Sequence, residues 1–200
     1  MQTILALANA MDARDKYTHG HSQRLADLAE ATLREISNDE EQIRAIRWAA
    51  LLHDIGKIGV ADEILRKPGP LTPEEWVVMK QHPEIGAKIV QPVKQLANVA
   101  PLIRSHHEKY DGTGYPYGLK GKQIPLGARV LTVVDAYSAM IDDRVYRKAV
   151  SHEEAVEELK RCTHTQFDPT VVEVFLRVLE TYQYKSTQLA MHQGRANTTV

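Results

Sequence analysis

The sequence has one cysteine, Cys162, among 200 residues. A disulfide framework and a thiolate zinc site are thereby excluded within one chain, and the thiol reads as a small helix-packing residue in a reducing, cytoplasmic setting. Net charge is nearly absent: 25 Lys and Arg stand against 26 Asp and Glu, a formal −1. Such a chain has no general electrostatic pull toward a nucleic-acid polymer or an acidic membrane surface, so any anion must be met by a local cluster of groups. No apolar run approaches a membrane span and the first residues do not resemble a signal peptide, so no membrane insertion is expected. Alternation of period two is missing over any useful length, and there is no internal repeat.

What is present is helical periodicity. Ile4, Leu5, Leu7, Ala8 and Met11 predict a helix over 3–14, able to serve as a dimer helix or to cover the core. Leu25, Leu28, Ala29 and Leu33 predict another over 20–36. Asn38 as N-cap, with Glu41 three residues on, predicts a helix bearing Ile43, Ile46, Ala50 and Leu51 and ending near Gly56. Residues 59–70 read as irregular, Thr72-Pro-Glu-Glu75 as a capped helix start, and Pro83 and Pro92 as punctuation between short helices. Further helices are expected over 93–107, 126–141, 151–162 and 168–182. Between 108 and 127 stand Gly112, Gly114, Pro116, Gly118, Gly121 and Pro125, a long loop of the kind that is usually functional in a compact domain. The fold class is all-α, with one domain over 1–184 and a polar tail over 185–200.

Histidine is abundant, with nine residues, and His53, His82, His106 and His107 stand beside turn and breaker residues. His53-Asp54 closes an apolar helix in LLHDIGKIG, and a carboxylate placed against a buried face must be paired or metal-bound. The neighbours His106 and His107 would point about 100° apart within a helix, but at a helix end they can converge. Asp135 lies in the apolar run LTVVDAY and needs a partner. Taken singly, each of these has an ordinary structural explanation. Taken together, they indicate a metal centre.

HDIGKIG, the histidine of HPEIG, HHEKYDGTGYP, VVDAYSAM and DDRVYRKA occur in the order found in HD-GYP proteins, a branch of the HD metallohydrolases. The stretches DARDKYTHGHSQRLADLA and TQFDP also resemble the family, so the likeness spans residues 2 to about 180. It implies an HD-domain helical bundle with extra C-terminal helices and one long GYP loop. It implies seven metal ligands: His21, His53 and Asp135 on one ion, His82, His106 and His107 on a second, and Asp54 bridging them. Tyr17 stands where some members carry a glutamate for a third metal, so two divalent ions are expected. Imidazole and carboxylate without thiolate suit iron or manganese.

The implied activity is hydrolysis of cyclic di-GMP, with pGpG or GMP as the final product, by a hydroxide bridging two ions about 3.5–4 Å apart. Asp54 and Lys57 would be catalytic, with Lys57 stabilising the phosphate. Arg144 and Arg147 match arginines of the family's DRPYR segment and would bind phosphate oxygens, and Tyr115 would pack on a guanine or ribose. Departures fall outside the ligand set. Ser138 replaces an acid, Ile141-Asp142 replaces Thr-Ser, Val145 replaces Pro, and His164 replaces a small residue. Two other readings are open: a hydrolase of another cyclic dinucleotide or nucleotide, and a module docking a diguanylate cyclase or motility protein through the GYP loop.

Overall fold

The computed structural model describes residues 2–15, 21–142 and 148–181. Tyr17, Arg144, Val145, Arg147 and the tail expected over 185–200 lie outside the described residues. The elements are α1 (Gln2–Asp15), α2 (His21–Arg34), α3 (Glu40–Leu52), α4 (Asp62–Leu65), α5 (Pro73–Met79), α6 (His82–Val90), α7 (Ala100–Ser105), α8 (Leu126–Ile141) and α9 (His152–Arg161). The chain is helical again over 169–181. Among the described residues there is no strand, only an isolated bridge between Thr163 and Phe167. No described helix is long and apolar enough to cross a membrane.

The centre of the bundle is α8. Val130, Leu131, Val133 and Val134 are all fully buried, although consecutive residues on a helix face different directions. The helix is therefore enclosed, with α2, α3, α7 and α9 packed around it. Helix α2 buries Leu25, Leu28, Ala29 and Leu33 at three- and four-residue spacing and lies along α3. The N-cap of α3 is Asp39 rather than the expected Asn38. Its Oδ1 accepts from the backbone N–H groups of Glu41 (2.9 Å) and Gln42 (3.2 Å), and its charge suits the positive end of the helix. Glu41 closes no capping box and accepts instead from the Asn98 amide.

Helix α3 ends at Leu52, four residues before the expected Gly56. The chain then tightens into a 3-10 turn over Ile55–Gly59, opened by Lys57 N–H donating to Asp54 C=O at 2.9 Å. The expected capping box at Thr72 and Glu75 is formed, with Pro73 in the first turn of α5. The helix expected over 93–107 is instead a 3-10 turn, Lys94–Leu96, followed by α7. Pro101 explains the break: without an N–H it cannot continue a preceding helix, but it suits the first turn of a new one.

The long loop is held from within. Glu108 is 1% exposed, and its carboxylate accepts from the backbone N–H groups of Tyr117 (2.8 Å) and Leu119 (3.0 Å). Backbone bonds from Tyr110 and Asp111 to the carbonyls of Gln166 and Thr165 tie it to the TQFDP turn. His164 adopts a φ of 69°, the left-handed region that glycine enters freely and histidine more readily than most residues. That gives a physical reason for a small residue at this place, which the sequence alone did not supply. In the same turn Asp168 is buried against Arg129 of α8, while its other oxygen caps residues 169–181 at Thr170 N–H (2.8 Å).

Removing Asp168 strands a largely buried guanidinium and uncaps the last helical stretch. Asp168→Ala is expected to cost about 3–5 kcal/mol in urea unfolding, whereas breaking the exposed Arg177–Glu173 pair with Glu173→Ala costs under about 1 kcal/mol.

Candidate metal centre

The last turn of a helix leaves carbonyls that no intrahelical N–H can reach. At three such places an imidazole reaches one. His53 Nδ1 lies 2.8 Å from the carbonyl of Ala50 at the end of α3. His82 Nδ1 lies 2.8 Å from that of Met79 at the end of α5, and His106 Nδ1 lies 2.6 Å from that of Ile103 in α7. A carbonyl only accepts, so each Nδ1 carries the proton, and in the neutral ring Nε2 is left with a free lone pair. The same bond thus orients three rings and selects their tautomer.

These Nε2 atoms converge. His82 Nε2 and His106 Nε2 are 3.4 Å apart. The ring of His107 lies 4.0 Å from that of His106 and 5.0 Å from that of His82 between centroids. One ligand atom from each of His82, His106 and His107 lies within 4.8 Å of the other two. Asp54 faces two rings at once: Oδ2 is 3.3 Å from His53 Nε2 and Oδ1 is 3.4 Å from His82 Nε2. Asp135 Oδ1 stands 3.9 Å from His53 Nε2, which answers the need for a partner on that acid. Two lone pairs facing each other at hydrogen-bond distance, flanked by carboxylates, form a donor set that a hard or borderline divalent cation satisfies. The residues present fit a metal.

The site's electrostatics point the same way. Burial depresses His82, His106 and His107, the last to about 3, so all three are neutral near pH 7. Burial also opposes charge on His53, but the Asp54 carboxylate, with Asp135 behind it, outweighs this and raises its pKa to about 9. Burial would push Asp54 up, yet Lys57 and then His53 hold it well below the usual carboxylate range. The Lys57 ammonium sits 2.9 Å from Asp54 Oδ2.

Tyr115 stacks on His107 at 4.9 Å, and the Lys80 amine lies 5.6 Å from the tyrosine ring centroid. Burial and the nearby Asp54 push the Tyr115 hydroxyl's pKa up. His21, at the start of α2, is 1% exposed with its Nδ1 2.6 Å from Asp142 Oδ2. His53, Asp54, Lys57, His82, His106, His107, Tyr115 and Asp135 are therefore drawn together. Arg144 and Arg147 lie outside the described residues.

Four contributors were not singled out from the sequence: Glu108, Lys80, Asp142 and Gly56. A Cβ on Gly56 would lie 1.8 Å from the His82 carbonyl oxygen and 2.5 Å from Gly86 N. The His53-Asp54 turn therefore rests directly on the first turn of α6. A glycine after a His-Asp pair was visible in the sequence; the neighbour that requires it was not.

A family model described as HD domain matches residues 6–171. The chain is 38% identical over 200 residues to a cyclic di-GMP phosphodiesterase of Thermotoga maritima, covering 96% of this chain and 54% of that protein. It is 39% identical to the cyclic di-GMP phosphodiesterase response regulator RpfG of Xanthomonas campestris, covering 88% of this chain and 47% of that protein. The chain spans about half the length of these curated relatives. Among solved structures, a cyclic GMP-AMP specific phosphodiesterase of V. cholerae superposes with a TM-score of 0.68 at 20% identity, over 92% of this chain and 49% of that one. That likeness establishes the helical fold.

Gly56→Ala forces the His53-Asp54 turn off α6. It is expected to lower stability by about 1–3 kcal/mol in thermal or urea unfolding and to reduce metal content on elemental analysis. Val77→Ala, at a position 63% exposed, leaves both unchanged.

Proposed function

The chain belongs to the HD-domain family, and from that premise we propose that it is a metal-dependent cyclic di-GMP phosphodiesterase, opening the cyclic dinucleotide to pGpG, with pGpG or GMP as the final product. The observation that carries the reading is the placing of Asp54, whose two oxygens face two different imidazoles at 3.3 and 3.4 Å. A carboxylate so placed suits the space between two ions. His21, His53 and Asp135 would hold one ion, His82, His106 and His107 the other, with Asp54 shared. Iron or manganese fits a donor set of imidazole and carboxylate without thiolate. Tyr17, in place of an acid, favours two ions over three. Residues 1–184 would form the catalytic unit and 185–200 a tail. Relatives at 38% and 39% identity that are named for cyclic di-GMP support the substrate.

When bound, the ions supply an activated water and positive charge beside the phosphoryl oxygens. The chain's residues do the rest. The backbone bonds at Nδ1 keep His53, His82 and His106 aimed inward without reorganisation during the reaction. Lys57, held against Asp54, presents a fixed ammonium to the phosphate and a proton to the leaving ribose oxygen. Tyr115, stacked on His107, offers a flat face to a guanine or ribose. Arg144 and Arg147 would fork onto phosphate oxygens.

Protein purified without oxygen is expected to carry about two iron or manganese ions per chain and to convert cyclic di-GMP to pGpG or GMP. The double variant His53→Ala, Asp54→Ala should lose both metal and turnover. Full metal with turnover only of another cyclic dinucleotide, such as 3′3′-cyclic GMP-AMP, would replace the substrate; a folded protein that takes up no metal would overturn the reading. Lys57→Ala should keep its metal and lose about 10²–10³-fold in kcat, the usual effect of deleting one fixed charge-stabilising donor.

A further inference from the structure

Three rings at the centre, His53, His82 and His106, are oriented by backbone carbonyls, whereas His21 is held by a side chain. Its Nδ1 is 2.6 Å from Asp142 Oδ2, and the Arg24 guanidinium holds the same carboxylate, with Nη2 2.6 Å from Oδ2 and also bonded to Oδ1. His21 is 1% exposed and the Asp142 side chain 12%, so the pair is shielded from water and a bond between them is little weakened by it. Asp142 follows the last residue of α8, the helix that also carries Asp135.

The sequence around it is rearranged relative to the family pattern. Serine stands at 138 where the pattern has an acid, and aspartate stands at 142 where the pattern has serine. Asp142 is the C-cap of α8, its N–H bonded to the Ser138 carbonyl at 3.2 Å, so the acid stands one turn beyond position 138, just outside the helix. Ser138 is fully buried, a place where an unpaired carboxylate would be costly.

We propose that Asp142 is the positioning residue of His21: its carboxylate, clamped by Arg24, accepts a hydrogen bond from Nδ1–H, so that Nε2 is the nitrogen offered to metal and is made more basic. This rests on the proposed reading of His21 as a ligand. A carboxylate behind a ligating imidazole fixes its tautomer and strengthens its bond to the ion, and loss of such a partner typically weakens metal affinity about 10–100-fold.

The test uses the full chain, stripped of metal with chelator and titrated with Mn2+ by calorimetry. Wild type is expected to bind two equivalents. Asp142→Ala should weaken one of them about 10–100-fold and leave the other unchanged. Asp142→Asn, whose amide oxygen still accepts a hydrogen bond from Nδ1–H, should fall between, and it decides the matter should the alanine variant fail to fold. In a His21→Ala background, Asp142→Ala should have no further effect on Mn2+ affinity. If instead both Asp142 variants lower the melting temperature of the metal-free protein while Mn2+ affinity stays at the wild-type value, Asp142 is only a brace between α2 and α8 and the proposal is overturned. Wild-type protein that binds two Mn2+ but turns over no cyclic dinucleotide would sink the proposed function, while the Asp142 affinities would still decide this inference.

Discussion

A hydrogen bond from an imidazole Nδ1 to a carbonyl stranded at a helix end recurs three times, at Ala50, Met79 and Ile103, and the centre depends on it. Helix termini must satisfy their last carbonyls somehow, and exposed ones use water or a following turn. Here the carbonyls are spent on histidines. Each bond fixes a ring's orientation and puts a proton on Nδ1, so that Nε2 is the nitrogen turned inward, without a proton in the neutral rings of His82 and His106. The helices thus act as rulers: wherever α3, α5 and α7 end, a lone pair is delivered at a set distance and angle.

Bringing those ends together is the task of the core. Helix α8 is packed by α2, α3, α7 and α9, so a polar side chain along its middle needs a partner: Thr132 bonds to the carbonyls of His106 and Ala128, and Asp135 has His53 and the centre beside it. The close contact of Gly56 with the first turn of α6 sets the separation of Asp54 from His82. The long loop closes over this arrangement without a helix or strand of any length. Its order comes from one buried carboxylate, Glu108, serving two backbone N–H groups, and from the turn that Asp168 and Arg129 pin to α8.

Charge decides how the assembled groups can behave. Burial keeps three rings neutral, whereas His53 and Asp54 favour the charged form of one another, with Asp135 adding to the pull on His53 and Lys57 to that on Asp54. Removing all of this from water would be prohibitive for isolated ions and is sustained only by mutual pairing. A divalent cation placed among the Nε2 atoms would meet the same two carboxylates that now hold His53 charged. A centre of that kind suits the attack on an anionic ester proposed above for this chain.

Much of this was legible in the sequence. Periodicity identified the helices, Thr72 and Glu75 announced α5, and the grouping of His53, Asp54, His82, His106, His107 and Asp135 followed from residue types set beside breakers and in apolar runs. Such signals are local, and local propensity acts within a turn or two of its source. The cap at Asp39, the end of α3 at Leu52 and the split of residues 93–107 turned on which of several adjacent candidates tertiary contacts favoured. The partners Glu108–Leu119, Gly56–His82 and His21–Asp142 are separated by 11, 26 and 121 residues or share no pattern along the chain. Residue chemistry alone named the atoms able to hold a metal; only packing decided which of them meet, because hydrogen bonds and ligand sets are made in space between groups that the chain order does not pair.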